Sequence, residues 1–297
     1  MADFNELSCT GSIENLGKCD CNQIITTPEY LAFTTAAFEF ATRTAAETQA
    51  NWQTGIQAKS VFPLGQVLEQ ASSDTEDGTF TSANGHVTIP TSKGKWVKTY
   101  FFQHTVFLMR KLQSLNGKSG RLFLFDGAGN GLGTTPDGTK FKGIYVKNIR
   151  VGKPMLPDTK DDVMRIGVTF EFSNLDEYTS EFAAISVDFA DELNGLLDAT
   201  VTYVSSNAGK TEHTVTVAKL CDGSAVTGLV AADFTISDDT PTVESIVSVA
   251  ESSTVPGTYV ITTAALGADN YTVNLVAPSA MTTDGYESTG AASFTIS

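Results

Sequence analysis

Histidine, tryptophan, cysteine and methionine are all scarce in this chain of 297 residues, which has three, two, four and five of them respectively. Basic residues are also few: 19 Lys and Arg stand against 34 Asp and Glu, for a formal net charge of −15. That balance excludes broad nucleic-acid binding, because phosphate contacts need Lys and Arg. It suits a surface past which DNA slides without sticking. No apolar run approaches the roughly 20 residues of a membrane helix. The start, MADFNELSCTGSIENL, is acidic and has no apolar stretch of the kind that begins a secretory signal. The expectation is a soluble protein made in the cytoplasm, with export by a signal-independent route left open.

The few cysteines are oddly placed. Cys9, Cys19 and Cys21 form C-x9-C-x-C, and Cys221 stands alone. That spacing matches neither paired zinc ligands nor the disulfide framework of a small secreted domain. Reduced thiols are the expectation, with an N-terminal disulfide and a metal site as alternatives. No cofactor is expected.

Catalytic groups are equally hard to assemble. Nucleophilic catalysis needs a base held beside Ser, Cys or Thr. His86 follows a predicted Asn-Gly turn, His104 opens a predicted helix and His213 lies in a predicted strand; none has a nucleophile context, and G-x-S-x-G is absent. Each reads as a surface or strand polar residue. Carboxylates pair at Asp161-Asp162, Asp176-Glu177, Asp191-Glu192 and Asp238-Asp239. In so acidic a chain such pairs read as solvated turns. The aromatics that a glycosidase cleft would need alternate inside predicted strands and read as core. The chain is therefore not expected to be an enzyme.

What is present is strand pattern. After residue 198 only Lys210 and Lys219 are basic, against 10 acidic residues, and Thr, Val, Ser and Ala dominate. Seven alternating runs follow, at 199–205, 213–220, 233–237, 245–251, 258–265, 271–278 and 292–297. Turn residues in CDGS, VPGT, LGADN and TDGYESTG separate them. This predicts a small β-sandwich. The stretches SAVTGLVAADFTISD and GTYVITTAALGADNYTVNL resemble bacterial immunoglobulin-like repeats. Cys221 has no pair there, so no antibody-type staple is expected.

The first 198 residues read as α+β. Capped by Thr34 or Thr35, one long helix is predicted, with Phe38, Ala41, Ala45, Thr48, Trp52 and Ile56 on one stripe and Pro63 beyond its end. A polar linker follows at 69–85, as a loop or hairpin. Residues 103–117 predict a second, shorter helix with Leu108, Leu112 and Leu115 on one face and Asn116-Gly117 as its stop. HVTIP, KWVKTYFF, RLFLF, KFKGIYVKNIRVG and VMRIGVTFEFSNL predict strands, in a layer of four to six.

Between RLFLF and KFKGIYV lies DGAGNGLGTTPDGT, the most distinctive stretch in the chain. Gly127, Gly129, Gly131 and Gly133 complete no G-x-G-x-x-G, a strand follows rather than a helix, and no GK[ST] is present. Asp126, Asn130, Gly131 and Asp137 match positions 1, 5, 6 and 12 of a calcium loop, but position 3 is Ala128 and the flanks are strands. The reading that remains is a structural hairpin with an extended tip. Asp126, Gly127, Gly129, Asn130, Gly131, Gly133, Asp137 and Gly138 are its candidate assembly residues. Deleting 127–138 is expected to leave the monomer folded and block assembly.

The order of helix, strands and hairpin, then GVTFEFSNLDEY and an appended sandwich, resembles tailed-bacteriophage virion proteins. LMRKLQSLNGKSGRLFLFDGAGNGLGTTPDGTKFKGIYV resembles the core of structural proteins from phages of Bacteroidota hosts. The likeness spans about 25–185, and within virions the nearest class is the tail tube protein. It implies a mainly β chain: an arm at 1–25, a tail-tube-like α+β sandwich with one long flanking helix at 26–198, and an immunoglobulin-like sandwich at 199–297. It also implies a structural subunit of the virion that self-associates into rings, hexameric by the resemblance, and contacts other virion proteins. DNA would pass through its lumen unbound. No membrane partner is implied. A capsid decoration protein and a bacterial surface adhesion module are the alternative readings.

Overall fold

The computed structural model describes residues 26–74, 78–80, 89–92, 95–160, 162–172, 181–240, 242–282 and 285–297. The chain is mainly β. It divides between Asn194 and Gly195 into two compact units, with Gln57–Lys59 grouped with the second. The arm at 1–25, with Cys9, Cys19 and Cys21, lies outside the described residues, as do His86, Asp161, Asp176 and Glu177.

The first unit runs β1 (Pro28–Thr34), α1 (Arg43–Ala46), α2 (Gln49–Gln57), β2 (Val61–Ser72), β3 (Gly78–Phe80), β4 (Ile89–Ser92), β5 (Trp96–Phe102) and α3 (Val106–Leu112). It continues with β6 (Gly120–Asp126), β7 (Asn130–Thr134), β8 (Ile144–Val151), β9 (Ile166–Phe172) and β10 (Phe182–Ser186). Eight strands form one sheet in the order β1-β2-β5-β9-β8-β6-β7-β10, and β1 also pairs with β6. That extra ladder closes β1-β2-β5-β9-β8-β6 into a six-stranded barrel, antiparallel at every junction. Closure removes the sheet edges that strands otherwise leave open. The expected sandwich of this unit is therefore a single closed sheet. β7 and β10 extend it, because β6 pairs with β8 through Gly120–Leu122 and with β7 through Leu124 and Phe125.

Alternation explains the two sides of the barrel wall. On β6, Leu122 joins the core with Leu31, Phe33, Ile144 and Val168. Phe123 and Phe125 face the other way, onto Trp52 at 4.9 and 5.3 Å between ring centroids. Phe40 closes on Trp52 at 4.7 Å. The indole N–H of Trp52 donates to the Ala46 carbonyl at 2.6 Å, so the buried ring keeps its polar atom satisfied.

The predicted long helix is not there. Thr34 and Thr35 belong to β1 and its exit, and Phe40 bridges Phe141 in both directions, at 2.9 and 3.1 Å. Two short helices remain. Thr42 caps α1 by accepting from Ala45 N at 3.1 Å. Of the predicted stripe, Trp52 and Ile56 are buried, whereas Ala41 and Thr48 are exposed. Non-local strand pairing overrides the weak local helix preference. Pro63 lies inside β2, next to a register shift opposite Leu31 and Ala32, where a missing N–H is tolerated. The second helix forms, capped by Thr105, but it buries Met109 and Leu112 and leaves Leu108 39% exposed. Gly117 ends that segment with φ 76°. The linker at 69–85 begins as the end of β2 and holds β3, which pairs with β4 beyond it. β10 forms where the sequence predicted no strand.

The second unit runs β11 (Leu197–Ser206), β12 (Glu212–Lys219), β13 (Phe234–Asp238), β14 (Ile246–Glu251), β15 (Thr258–Thr263), β16 (Asp269–Leu275), β17 (Tyr286–Ser288) and β18 (Ala292–Ile296). All seven predicted runs are strands, and three-residue β17 is added. They form two sheets, β14-β15-β12-β11-β17 and β13-β16-β18. Val215, Val217, Tyr259 and Ile261 of the first pack with Ile236, Val273 and Phe294 of the second in one core. This is a β-sandwich built by period-2 alternation.

Candidate assembly surface

The glycine-rich stretch is built around Asp126. Its carboxylate accepts from Thr26 N at 2.9 Å, Ala128 N at 3.0 Å and Asn130 N at 2.8 Å. The Asn130 amide donates to both oxygens, at 3.2 and 3.0 Å. Burial pushes the Asp126 pKa up, but these bonds outweigh it and hold the carboxyl below its ordinary value. Its lone pairs serve the β6–β7 turn rather than a cation. Gly129 completes that turn at φ 82°, a conformation that costs glycine little.

The eight candidate residues separate here. Gly131 and Gly133 sit in β7, and a Cβ on Gly133 would lie 2.4 Å from the Lys142 carbonyl and 2.7 Å from the Phe141 ring. Asp137 and Gly138 form a second, exposed turn, where Asp137 accepts from Thr139 N at 3.1 Å and Lys140 N at 2.8 Å. The predicted hairpin between RLFLF and FKGIYV exists at its root. Its tip, however, is a paired strand: β7 bonds β6 on one side and β10 on the other. Deleting 127–138 therefore removes a strand whose Leu132 packs against the core. Such a deletion tests folding and not assembly.

The other sequence candidates serve structure. His104 is half-buried, stacked on Phe102 with its Nε2 2.7 Å from the Leu64 carbonyl; burial lowers its pKa against that bond. His213 is 0% exposed, not a surface residue, and its ring lies 5.5 Å from Phe294. Asp162 accepts from Val163 N, Glu192 from the Gln49 amide, and Asp239 from the Asn270 amide. Asp238 accepts from Thr240 N and Thr242 N, which makes it a turn former. Cys221 is exposed and free. Among the described residues, no group of three or more His, Cys, Asp or Glu is placed to hold a metal ion. Among them, too, no helix is long and apolar enough to cross a membrane.

Two features escaped the sequence. Asp233 is fully buried and fully used, accepting from Val230 N at 2.9 Å and from Thr282 N and Oγ1 at 2.6 and 2.9 Å. Its only local signal is a position three residues after Val230. The second is an overhang of the barrel wall. β2 pairs with β1 only as far as Gln66 but with β5 as far as Ser72, and β5 pairs with β9 along its whole length, so β2 runs on past β1 as the outermost of the staggered strands β2, β5 and β9. Glu69 to Ser72 are exposed along it.

The fold and these surfaces define a class: a mainly β protein of two units, a closed antiparallel barrel with an overhanging β2 and a β-sandwich. No protein-family model matches the chain, and no curated protein matches it either.

Proposed function

We propose that this chain is a structural subunit of a phage virion, a tail tube protein whose copies stack as rings around passing DNA. The observation that carries the reading is the closed barrel whose β2 extends past its last rung with β1, as the outermost of the staggered strands β2, β5 and β9. An overhanging strand of that kind offers backbone groups to a neighbouring subunit, and a heterologous contact repeated around an axis closes a ring. The net charge of −15 supports a lumen that DNA passes without adsorbing. The second unit is read as an immunoglobulin-like domain carried outside the ring, a reading supported by its two packed sheets, antiparallel except at the β11–β17 pair, and its short turns.

Electron microscopy of the purified chain at high concentration tests this, beside a version ending at Asn194. Rings or tubes of even diameter from both, with additional outer density only from the longer one, are expected. Isolated particles that bind capsids would replace the proposal with the capsid decoration reading.

A further inference from the structure

An Asn-Gly pair is where a chain can modify itself, because the glycine N–H is unscreened by a Cβ and can reach the preceding side-chain amide. Three such pairs lie among the described residues, and the fold treats them differently. At Asn116-Gly117 both reacting groups are held. Gly117 N donates to the Ile149 carbonyl at 2.7 Å, and Asn116 Oδ1 accepts from Val151 N at 3.2 Å. At Asn130-Gly131 the Asn130 amide donates to both Asp126 oxygens, and Gly131 is ladder-paired with Phe125 on one side and Ile185 on the other. At Asn194-Gly195 the nucleophile is free. Gly195 N meets no acceptor among the described residues, and a Cβ added there would have nothing within 4 Å. Both residues are exposed, in a stretch without regular structure between buried Leu193 and buried Asp198. The Asn194 amide makes one bond, donating to the Glu192 carbonyl at 3.1 Å.

We propose that Asn194 is a site of spontaneous deamidation, with Gly195 and water as the reactants and aspartate and isoaspartate as the products. Gly195 N loses its proton to solvent and attacks Asn194 Cγ; the Cγ–Nδ2 bond breaks and ammonia leaves. The five-membered imide so formed takes up one water. Opening at Cγ gives aspartate, and opening at the backbone carbonyl gives isoaspartate, whose main chain runs through Cγ. The net change is amide and water to carboxylate and ammonium, with no oxidant or reductant. The new carboxylate joins Asp188, Asp191, Glu192 and Asp198 in one short stretch. The isoaspartyl form lengthens the main chain where the two units divide. A covalent change at that point alters the charge and length of the link while leaving both cores intact. This inference stands on the link alone and does not depend on the tube reading.

The full chain, aged in mildly alkaline buffer made with heavy-oxygen water and followed by site-resolved peptide mass spectrometry, provides the test. Label should enter at Asn194 about tenfold faster than at Asn116 or Asn130, which must first open locally. In urea the fold no longer protects any of them, and the three rates should converge. Gly195→Ala, whose Cβ finds open space, should slow labelling at Asn194 about tenfold by screening the nucleophile, with unchanged circular dichroism. Labelling at Asn194 no faster than at the other two in the folded chain overturns the proposal. So does a ranking that persists unchanged in urea, or a rate that Gly195→Ala leaves as it was.

Discussion

Asn130 holds Asp126 three times over: its backbone N–H and its side-chain amide both bond Oδ1, and the amide also bonds Oδ2. The carboxylate is 4% exposed and receives Thr26 and Ala128 as well. Bonds to a buried charged acceptor contribute more than neutral ones, and their donors are stranded if the acceptor is removed. Asp126→Ala should destabilise the first unit by about 3 kcal/mol on that scale. Asp126→Asn keeps one acceptor oxygen and should lose less. Urea melts of the two variants against the wild type give the comparison; equal midpoints for all three would refute the role.

The glycines of the same stretch are not equivalent. A methyl group on Gly133 meets the Lys142 backbone and the Phe141 ring, neither of which can withdraw. Gly133→Ala is expected to cost about 2–3 kcal/mol, the range of an overpacked core. At Gly127 the nearest atoms belong to the Glu29 carboxylate, the movable end of a long side chain. Gly127→Ala should stay within about 1 kcal/mol of the wild type, as most surface changes do. Thermal melts that rank the two variants the other way would show that the stretch is packed differently.

These residues also show what the sequence could reveal. Turn chemistry and alternation are local, so the seven runs after residue 198 all became strands, and RLFLF became β6. Closure is not local. Nothing near Tyr30 or Phe125 signals that β1 pairs with a strand some ninety residues away, and that ladder is what makes a barrel. The same non-local demand drew Thr34, the expected cap, into β1 and bridged Phe40 to Phe141, inside the span of the helix that the spacing from Phe38 to Trp52 had suggested. The glycines were visible as turn residues, but their roles diverge only when Phe141 and Ile185 arrive from distant segments. Arg43 and Glu47 carried no signal at all, because no strand was predicted where they bond β10.

Trp52 anchors the aromatic layer outside the barrel wall. It is fully buried and touches Phe40, Phe123 and Phe125. Trp52→Phe keeps most of the packing but strands the Ala46 carbonyl, for an expected loss of about 1–3 kcal/mol. Trp52→Ala opens a large cavity and should cost about 3–5 kcal/mol. Chemical denaturation followed by circular dichroism measures both. If Trp52→Ala melts like the wild type, the α2 layer contributes nothing to the stability of the first unit.

His213 makes the second unit sensitive to acid. Its ring is buried between β-sheet layers beside Tyr203 and Phe294, and neither nitrogen makes a hydrogen bond of standard geometry. Burial pushes its pKa below the ordinary 6.5, opposed in part by the Lys210 backbone. The unfolded chain therefore binds a proton at a pH where the folded one does not. Stability should be at its full value above pH 6.5, decline as the pH falls toward the lowered folded value, and level off below it. His213→Phe removes the titration and fills the site with a ring of similar shape. Its thermal midpoint, followed through a signal of the second unit, should change less than the wild-type midpoint between pH 7 and the acid end of that window. Parallel curves for the two proteins would mean that acid acts through other groups, with the carboxylates of Asp238 and Glu251, both held low by backbone N–H donors, the next to replace.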